Sequence, residues 1–556
     1  MNSMVRGIGA LAVVAVLAWS RPADACGCLA PPTPAEPIVQ AGERILFAVR
    51  NGVVTAHIQV QYAGDAKDFG WLLPLPSVPT LTVGSDELFT QLDAATRPTF
   101  LLNRTFTGKG CPPPPLSLSC SRNSPTLIDR TADARDGGAS SPLVTTSSVG
   151  PYQYAVLRAD DQAAMFQWLS DNRYFVPAGT GSVVTPYIHP GAYFLALKLK
   201  AGANTGDITP VVLQYPSSLP MIPLILTSVG AQPNMGVQVF LLGNGRGIPR
   251  NYHHVVINDA LLDWQGGAKN YGALVTQAVS EAPQKHAFVT EYSGPSAVMH
   301  DVLGPPQRLG TEEELKVAST PAQFVRQLFQ ANFADPRTTP PLLPANVIKL
   351  LLAQVPLPDA LVAQGITANA YLSNLDYYLG TYRDSHPSEF ANVTIAFDAP
   401  VLARQIFDSF VKPVRETNAL FDEFPTLTRL FTTLSPQDMT SDPVFSFNPA
   451  LPLVKREHTA SLETGCTESK LVTEQGWVTQ GSDTVGTPLR TAAPAALRVE
   501  VLSEEGQPTI VTDNTATVRD AFSASASPRT GCSVVDPLSL GIFAMMTGLF
   551  RRRARR

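Results

Sequence analysis

Eight histidines, six cysteines and a modest number of acids are the side chains with which this 556-residue chain could do chemistry. His253 and His254 are adjacent, an arrangement that invites a metal site. On a strand, however, neighbours point to opposite faces and cannot share one ion. Asp160-Asp161 and Glu312-Glu313-Glu314 could be acid/base groups, but each run opens a helical pattern, where the dipole favours acids. Gly243-Asn244-Gly245-Arg246-Gly247 follows an apolar strand, as a phosphate-binding turn would. Such a turn needs a helix N-terminus after it; Pro249 and Tyr-His-His-Val-Val follow instead, so the segment reads as a turn into a strand. Tyr187, His189 and Tyr193, around Pro186 and Pro190, are read as ordinary packing, with a pocket lining as the alternative. Trp71 and the Leu-Leu-Pro-Leu-Pro after it are read as core strand and connector rather than a partner-binding surface. The sequence contains no His-Glu-x-x-His helix, Gly-x-Ser-x-Gly elbow or phosphate-loop signature. No catalytic, metal-ligating or cofactor-binding residue is therefore assigned, and no cofactor is expected.

The two ends carry clearer information. Residues 1–25 have the three parts of a secretory signal: Arg6, an apolar run over 8–19, and Ala23-Asp24-Ala25 as a small-x-small cleavage pattern. Cleavage after Ala25 leaves Cys26 first, and lipidation of that cysteine is the neighbouring alternative. Residues 534–550 form an apolar stretch barely long enough to cross the hydrocarbon as a helix. Arg551, Arg552, Arg553, Arg555 and Arg556 follow it and would hold that end in the cytoplasm. The expected partners are therefore the inner membrane, reached through this helix, the general export machinery and its signal peptidase.

Export makes disulfides feasible. Cys111 and Cys120 bracket a stiff Pro-Pro-Pro-Pro-Leu-Ser-Leu-Ser loop, and joining them would remove roughly 2–3 kcal/mol of unfolded-chain entropy. Cys26 and Cys28 are too close for an easy mutual bond, so one of them is expected to pair with Cys466. The spacing fits no zinc pattern. Apolar residues are 44% of the chain and charged ones 16%, against roughly 25% charged in an average domain; this excludes a charge-rich disordered chain. The net charge of −5 includes the terminal arginines, so the body is more acidic still, which argues against nucleic acid as a partner.

The elements that must position these residues follow from pattern. Residues 43–62 read as a hairpin turning at Asn51-Gly52, and 69–75 as a strand. Ser85 caps a helix carrying Leu88, Phe89 and Leu92 on one face. Further strands are read at 152–158, 193–200, 211–215, 224–229 and 237–242. A helix over 160–171 buries Met165, Trp168 and Leu169, and Asn172 can end it. Thr320-Pro321-Ala322-Gln323 reads as a capping box. Phe324, Val325, Leu328 and Phe329, then Tyr371, Leu372, Leu375, Tyr378, Leu379 and Tyr382, recur at helical spacing. Helices are also read at 401–411 and 418–434. The fold class is α+β. Residues 26–300 form an α+β domain with an antiparallel sheet and a Pro/Ser-rich, disulfide-tied loop at 107–150. Residues 301–435 are helical, 436–515 a β segment packing on the body, 516–531 a flexible tether and 532–556 the C-terminal sorting and transmembrane segment.

Two resemblances add to this reading. Thr530-Gly531-Cys532, a short apolar helix and a terminal Arg cluster resemble the tripartite MYXO-CTERM sorting tail. That resemblance implies recognition by a membrane-embedded processing protease, a landmark role for Cys532 and delivery to the cell surface. The body resembles an uncharacterised bacterial family, domain of unknown function 2330. The stretches that carry this are Gly42-Glu43-Arg44-Ile45-Leu46-Phe47, Phe69-Gly70-Trp71-Leu72-Leu73-Pro74-Leu75-Pro76, Val149-Gly150-Pro151-Tyr152, Trp168-Leu169-Ser170-Asp171-Asn172-Arg173-Tyr174, Pro220-Met221-Ile222-Pro223-Leu224 and Met439-Thr440-Ser441-Asp442-Pro443-Val444-Phe445. The match implies an exported envelope protein and supplies no catalytic residues. The expectation is a non-catalytic binding or structural protein of the cell surface with an unidentified ligand. The alternative is an exported hydrolase whose site is assembled from residues distant in sequence.

Overall fold

A computed structural model describes residues 39–63, 70–107, 143–174, 180–200, 208–300, 311–331, 333, 341–465, 469–481 and 493–526. Its centre is a ten-stranded mixed sheet. From one edge the order is Thr509–Asp513, Ala496–Val501, His253–Ile257, Ala287–Pro295 and Thr426–Leu434; it continues with Ala231–Gly243, Val39–Arg50, Val53–Ala63, Val211–Pro216 and Thr80–Val83. The first hairpin forms as the sequence requires. Asn51 and Gly52 have φ of 51° and 74°, the left-handed pair that matches the twist of the flanking strands.

Strand alternation then sorts the side chains. Ile45 and Phe47 face one way, Leu46 and Ala48 the other, and all four are buried, because this sheet is covered on both sides. Leu46, Ala48, Phe240 and Leu242 pack on Leu88, Phe89 and Leu92 of the helix Asp86–Thr96 and on a helical block that contributes Phe324, Leu328, Leu351, Leu402 and Phe421. Ile45 and Phe47 meet a second, four-stranded sheet of Gly70–Leu75, Tyr193–Leu199, Tyr152–Arg158 and Leu143–Val149. The far face of that small sheet, with Leu72, Phe194 and Ala196, packs on Met165, Trp168 and Leu169 of the helix Gln162–Asp171. Asp161 caps this helix by accepting from the Ala163 and Ala164 amides, and Asn172 is its C-cap, although the left-handed residue is Arg173, with φ 64°. The layers are thus helix, small sheet, large sheet, helical block.

Several sequence expectations need correction. The sheets are not purely antiparallel: in the large one Val39–Arg50 runs parallel to Ala231–Gly243 and His253–Ile257 to Ala287–Pro295, and in a separate four-stranded sheet Thr99–Phe106 runs parallel to Glu457–Thr464. The second of these pairs is joined through the helix Tyr271–Ser280, a crossover that a parallel pair needs. Leu224–Thr227 is a single helical turn rather than a strand; so short an apolar run has no period to read. Thr426–Leu434 is a central strand, not the end of a helix. Leu143–Val149 is a strand within the stretch read as a loop. Thr515–Ala526 is a helix rather than a flexible tether. Val518 on it is fully buried against Ala260 and Leu497, which gives this stretch a packing partner invisible in its composition. The Gln323 carboxamide accepts from the Ser319 backbone and hydroxyl, 3.0 and 2.9 Å away, so it does not complete the box with Thr320. A reciprocal capping box forms instead between Thr311 and Glu314.

Candidate functional site

Between the two sheets lies a cavity of about 300 Å³. Its floor is the large sheet, through Glu43, Ile45, Phe47, Ala56, Ile58, Leu213 and Tyr215, and its roof is the small sheet, through Leu73, Leu75 and Tyr193. Period-2 alternation puts Glu43, Ile45 and Phe47 on one face, and the register puts Ile45 opposite Ile58 and Phe47 opposite Ala56. The register also orients the cavity. Tyr215 lies opposite Val54, which pairs with Val49, six residues along from Glu43. At the rise of an extended strand those six steps span about 20 Å. Pro76, Pro186 and His189 are exposed and Ser217, Leu219 and Met221 half-buried, so the mouth is at the Tyr215 end. Glu43, 4% exposed, is at the closed end.

The mouth is held by long-range hydrogen bonds. The Tyr187 hydroxyl donates to Asp442 Oδ2 at 2.7 Å, and the Ile225 amide donates to Asp442 Oδ1 at 2.9 Å. Burial pushes the Asp442 carboxyl up against the pull of those donors. Met221 bridges Val444, the Ile222 amide donates to the Pro443 carbonyl and the Phe445 amide to the Pro220 carbonyl. Asn251 and Tyr252 fix the same loop by donating to the Asp442 and Ser441 carbonyls at 2.6 and 2.7 Å. Burial also raises the Tyr215 phenol well above its usual range, which keeps it a neutral donor on the cavity floor.

Tyr187, His189 and Tyr193 therefore line a pocket instead of merely packing, and Leu73 to Pro76 join them. Glu43, Ala56, Tyr215 and Asp442 were not singled out from sequence. Glu43 had a legible signal: an acid in phase with Ile45 and Phe47 on an inward strand face. His189 and Glu43 stand at opposite ends of the cavity, so no acid/base pair converges there.

The remaining candidates resolve as structure. His253 and His254 do lie on a strand. His254 is buried between Glu500, 3.1 Å from Nδ1, and the Arg246 guanidinium, 3.1 Å from Nε2. Both ring nitrogens are thus occupied, the first donating and the second accepting. Burial holds His254 below its usual value. Burial also pushes Glu500 up, but the His254 hydrogen bond and the neighbouring arginines outweigh it and hold the carboxyl low. A catalytic His–acid pair needs a nucleophile on the second nitrogen; here an arginine fills that place. Gly243 to Gly247 is a turn into the strand Arg246–Pro249, and a methyl on Gly245 would come within 2.7 Å of the Pro449 backbone. Asp161 and Glu312 to Glu314 lie at helix starts.

Among the described residues no group of three or more His, Cys, Asp or Glu is placed to hold a metal ion, and no helix is long and apolar enough to cross a membrane. Ala25, Cys26, Cys28, Cys111, Cys120, Cys466, Cys532 and the terminal arginines lie outside the described residues.

The fold and site define a layered α+β protein with an apolar cavity between two facing sheets. The chain belongs to a bacterial family described as an uncharacterized protein conserved in bacteria (DUF2330), which matches residues 22–340. No curated protein matches it, and no solved structure does. The stretches on which the family resemblance rests supply part of the cavity lining: Glu43, Ile45 and Phe47, Leu73 to Pro76, and Met221 with Pro223. Asp442, beyond the matched region, braces Tyr187 at its mouth.

Proposed function

We propose that the protein is an exported cell-envelope protein that binds a small apolar molecule between its two sheets and does not transform it. The observation that carries this is the cavity: apolar walls, an open mouth, and polar groups separated along its length instead of converging on one point. A concave, mostly apolar site with a few polar groups is the usual form of a ligand pocket. The signal-like pattern of residues 1–25, and the order of Cys532, apolar run and terminal arginines in the sequence, support placement outside the cytoplasm and sorting to the surface.

The test is fractionation of the native cell followed by intact and native mass spectrometry of the purified chain. The expected result is a mature chain beginning at Cys26 in the envelope fraction, carrying a non-protein mass released on unfolding. Full-length chain with Met1, dissolved in the cytoplasm, would overturn the placement. An empty chain with no small-molecule ligand in a thermal-shift screen would overturn the binding role.

A further inference from the structure

We infer that Tyr215 is the recognition group of the inter-sheet cavity, and that the molecule bound there carries an acceptor oxygen, of the kind a ketone or an ester presents, which takes the Tyr215 hydroxyl hydrogen. This rests on the binding role proposed above and names the chemistry its ligand must have.

Partner accounting singles Tyr215 out. Of the polar side chains lining the cavity, the Tyr187 hydroxyl gives its hydrogen to Asp442 at 2.7 Å, the Ser217 hydroxyl gives its own to the Leu219 carbonyl at 3.0 Å, and Glu43 has a partner elsewhere. His189 is exposed and Tyr193 half-buried, so solvent reaches both. Tyr215 differs. It is only 7% exposed, and among the described residues nothing accepts its hydroxyl hydrogen. The oxygen is not sealed among protein atoms either, so the free hydroxyl opens on the space the residue lines. Strand alternation puts it there: along Val211–Pro216 the side chains of Leu213 and Tyr215 share a face, and that face is the cavity floor.

Buried polar groups in native proteins almost always have partners, and a buried Tyr is usually placed where its hydroxyl finds one. A free one on the wall of a ligand-sized cavity points to a partner that the ligand supplies. The phenol decides which kind. Burial keeps it protonated, so it has a hydrogen to give, while delocalisation of its lone pair into the ring makes it a poor acceptor. The complementary group is an oxygen with free lone pairs. Ile45, Phe47, Ile58, Leu73 and Leu75 bury the rest of the molecule, but apolar burial has no direction; Tyr215 supplies it. A site built to hydrogen-bond a ligand oxygen rejects the analogue that lacks it, because the buried donor is then left unpaired.

The experiment uses the full-length protein, freed of bound ligand, and displacement of N-phenyl-1-naphthylamine by pairs that differ only in a carbonyl oxygen against a methylene. One pair is open-chain, 2-undecanone and 2-methyl-1-undecene; the other is ring-based, benzophenone and 1,1-diphenylethylene, so no ligand shape is assumed. Each pair is measured on the unaltered protein and on Tyr215→Phe, and comparing the two ratios cancels the different hydration of the competitors. In at least one pair the ketone should lose about tenfold in affinity on Tyr215→Phe, while its hydrocarbon partner does not weaken. Because the hydroxyl bonds nothing in the protein, Tyr215→Phe should leave the melting temperature of the ligand-free chain unchanged or raised. The carbonyl stretching band of the bound ketone should lie at lower frequency in the unaltered protein than in Tyr215→Phe. Ketone-to-hydrocarbon ratios equal in the two proteins for both pairs, or a ligand-free Tyr215→Phe that melts lower, would overturn the role of Tyr215 while leaving the binding role intact. A probe and competitors that never bind would sink the binding role itself.

Discussion

Removing the Arg429 guanidinium tests the account of how the sheet and its coverings are joined. Arg429 lies on the central strand Thr426–Leu434 with its side chain 5% exposed. Its Nε donates to Glu291 at 2.5 Å and one terminal nitrogen to Asp93 at 2.9 Å, the latter on the helix Asp86–Thr96. Glu291 reaches it because the register slips between Thr290 and Tyr292, and the extra residue of such a bulge re-aims its side chain. Tyr271 donates to the other Glu291 oxygen at 2.8 Å. Burial and then the Glu291 charge hold the Tyr271 phenol well above its usual value, so it remains a donor. In Arg429→Met, Glu291, 3% exposed at its side chain, is a buried charge that has lost its counter-ion, and breaking such a pair costs about 3–5 kcal/mol. In Arg429→Met combined with Glu291→Leu no charge is stranded; the Tyr271 hydroxyl loses one acceptor, worth about 1 kcal/mol. Urea unfolding of the full-length protein, followed by tryptophan fluorescence, measures both. The double variant should therefore be more stable than the single one by about 2–4 kcal/mol. Two variants equal in stability, or a single variant costing under about 1 kcal/mol, the scale of an exposed pair, would refute the reasoning.

The pH dependence of stability should carry two opposed limbs. Burial raises Asp259 from 3.8 to about 6, so the stability tied to its neutral form is complete below 3.8 and lost as pH rises through about 6. Burial lowers His57 from 6.5 to about 4, so its contribution is present above 6.5 and lost as pH falls through about 4. Melting temperatures across this range should lose the first limb in Asp259→Asn and the second in His57→Leu; a profile unchanged by either would refute the assignment. A chain truncated after residue 340, where the family match ends, should be recovered only as aggregate; a monomeric, cooperatively melting product would show that the matched region folds alone.

How far the sequence could be read depended on whether an element met solvent on one side. The hairpin at Asn51-Gly52, the helix start at Asp161 and the stripe of Phe324, Val325 and Leu328 carry their own local chemistry, and each appears where its residues call for it; Ser85 takes the N-cap position of its helix, but its side chain makes no capping hydrogen bond. The cavity was only half legible. Tyr187, His189 and Tyr193 looked like packing because their partners across the gap, Ala56 and Tyr215, are distant in sequence and unremarkable in type. Thr426–Leu434 shows the failure most clearly. Leu427, Leu430 and Leu434 recur at helical spacing, and the preceding residues are helical, so the period pointed to a helix. The β-branched Thr426, Thr428, Thr432 and Thr433 pointed the other way, but a strand covered on both faces has no alternation to announce it. The misreading matters because of where the strand goes. It lies between Ala231–Gly243 and Ala287–Pro295, both inside the family-matched region, and Ala496–Val501 pairs with His253–Ile257 beyond them. The strands from residues 231–295 therefore do not form a continuous sheet until chain from beyond residue 340 enters between them. Asp442, which follows that strand, then clamps the cavity mouth. The binding site and the late-arriving strand belong to one cooperative unit, so a ligand in the cavity should stabilise the C-terminal segments as much as the strands that touch it.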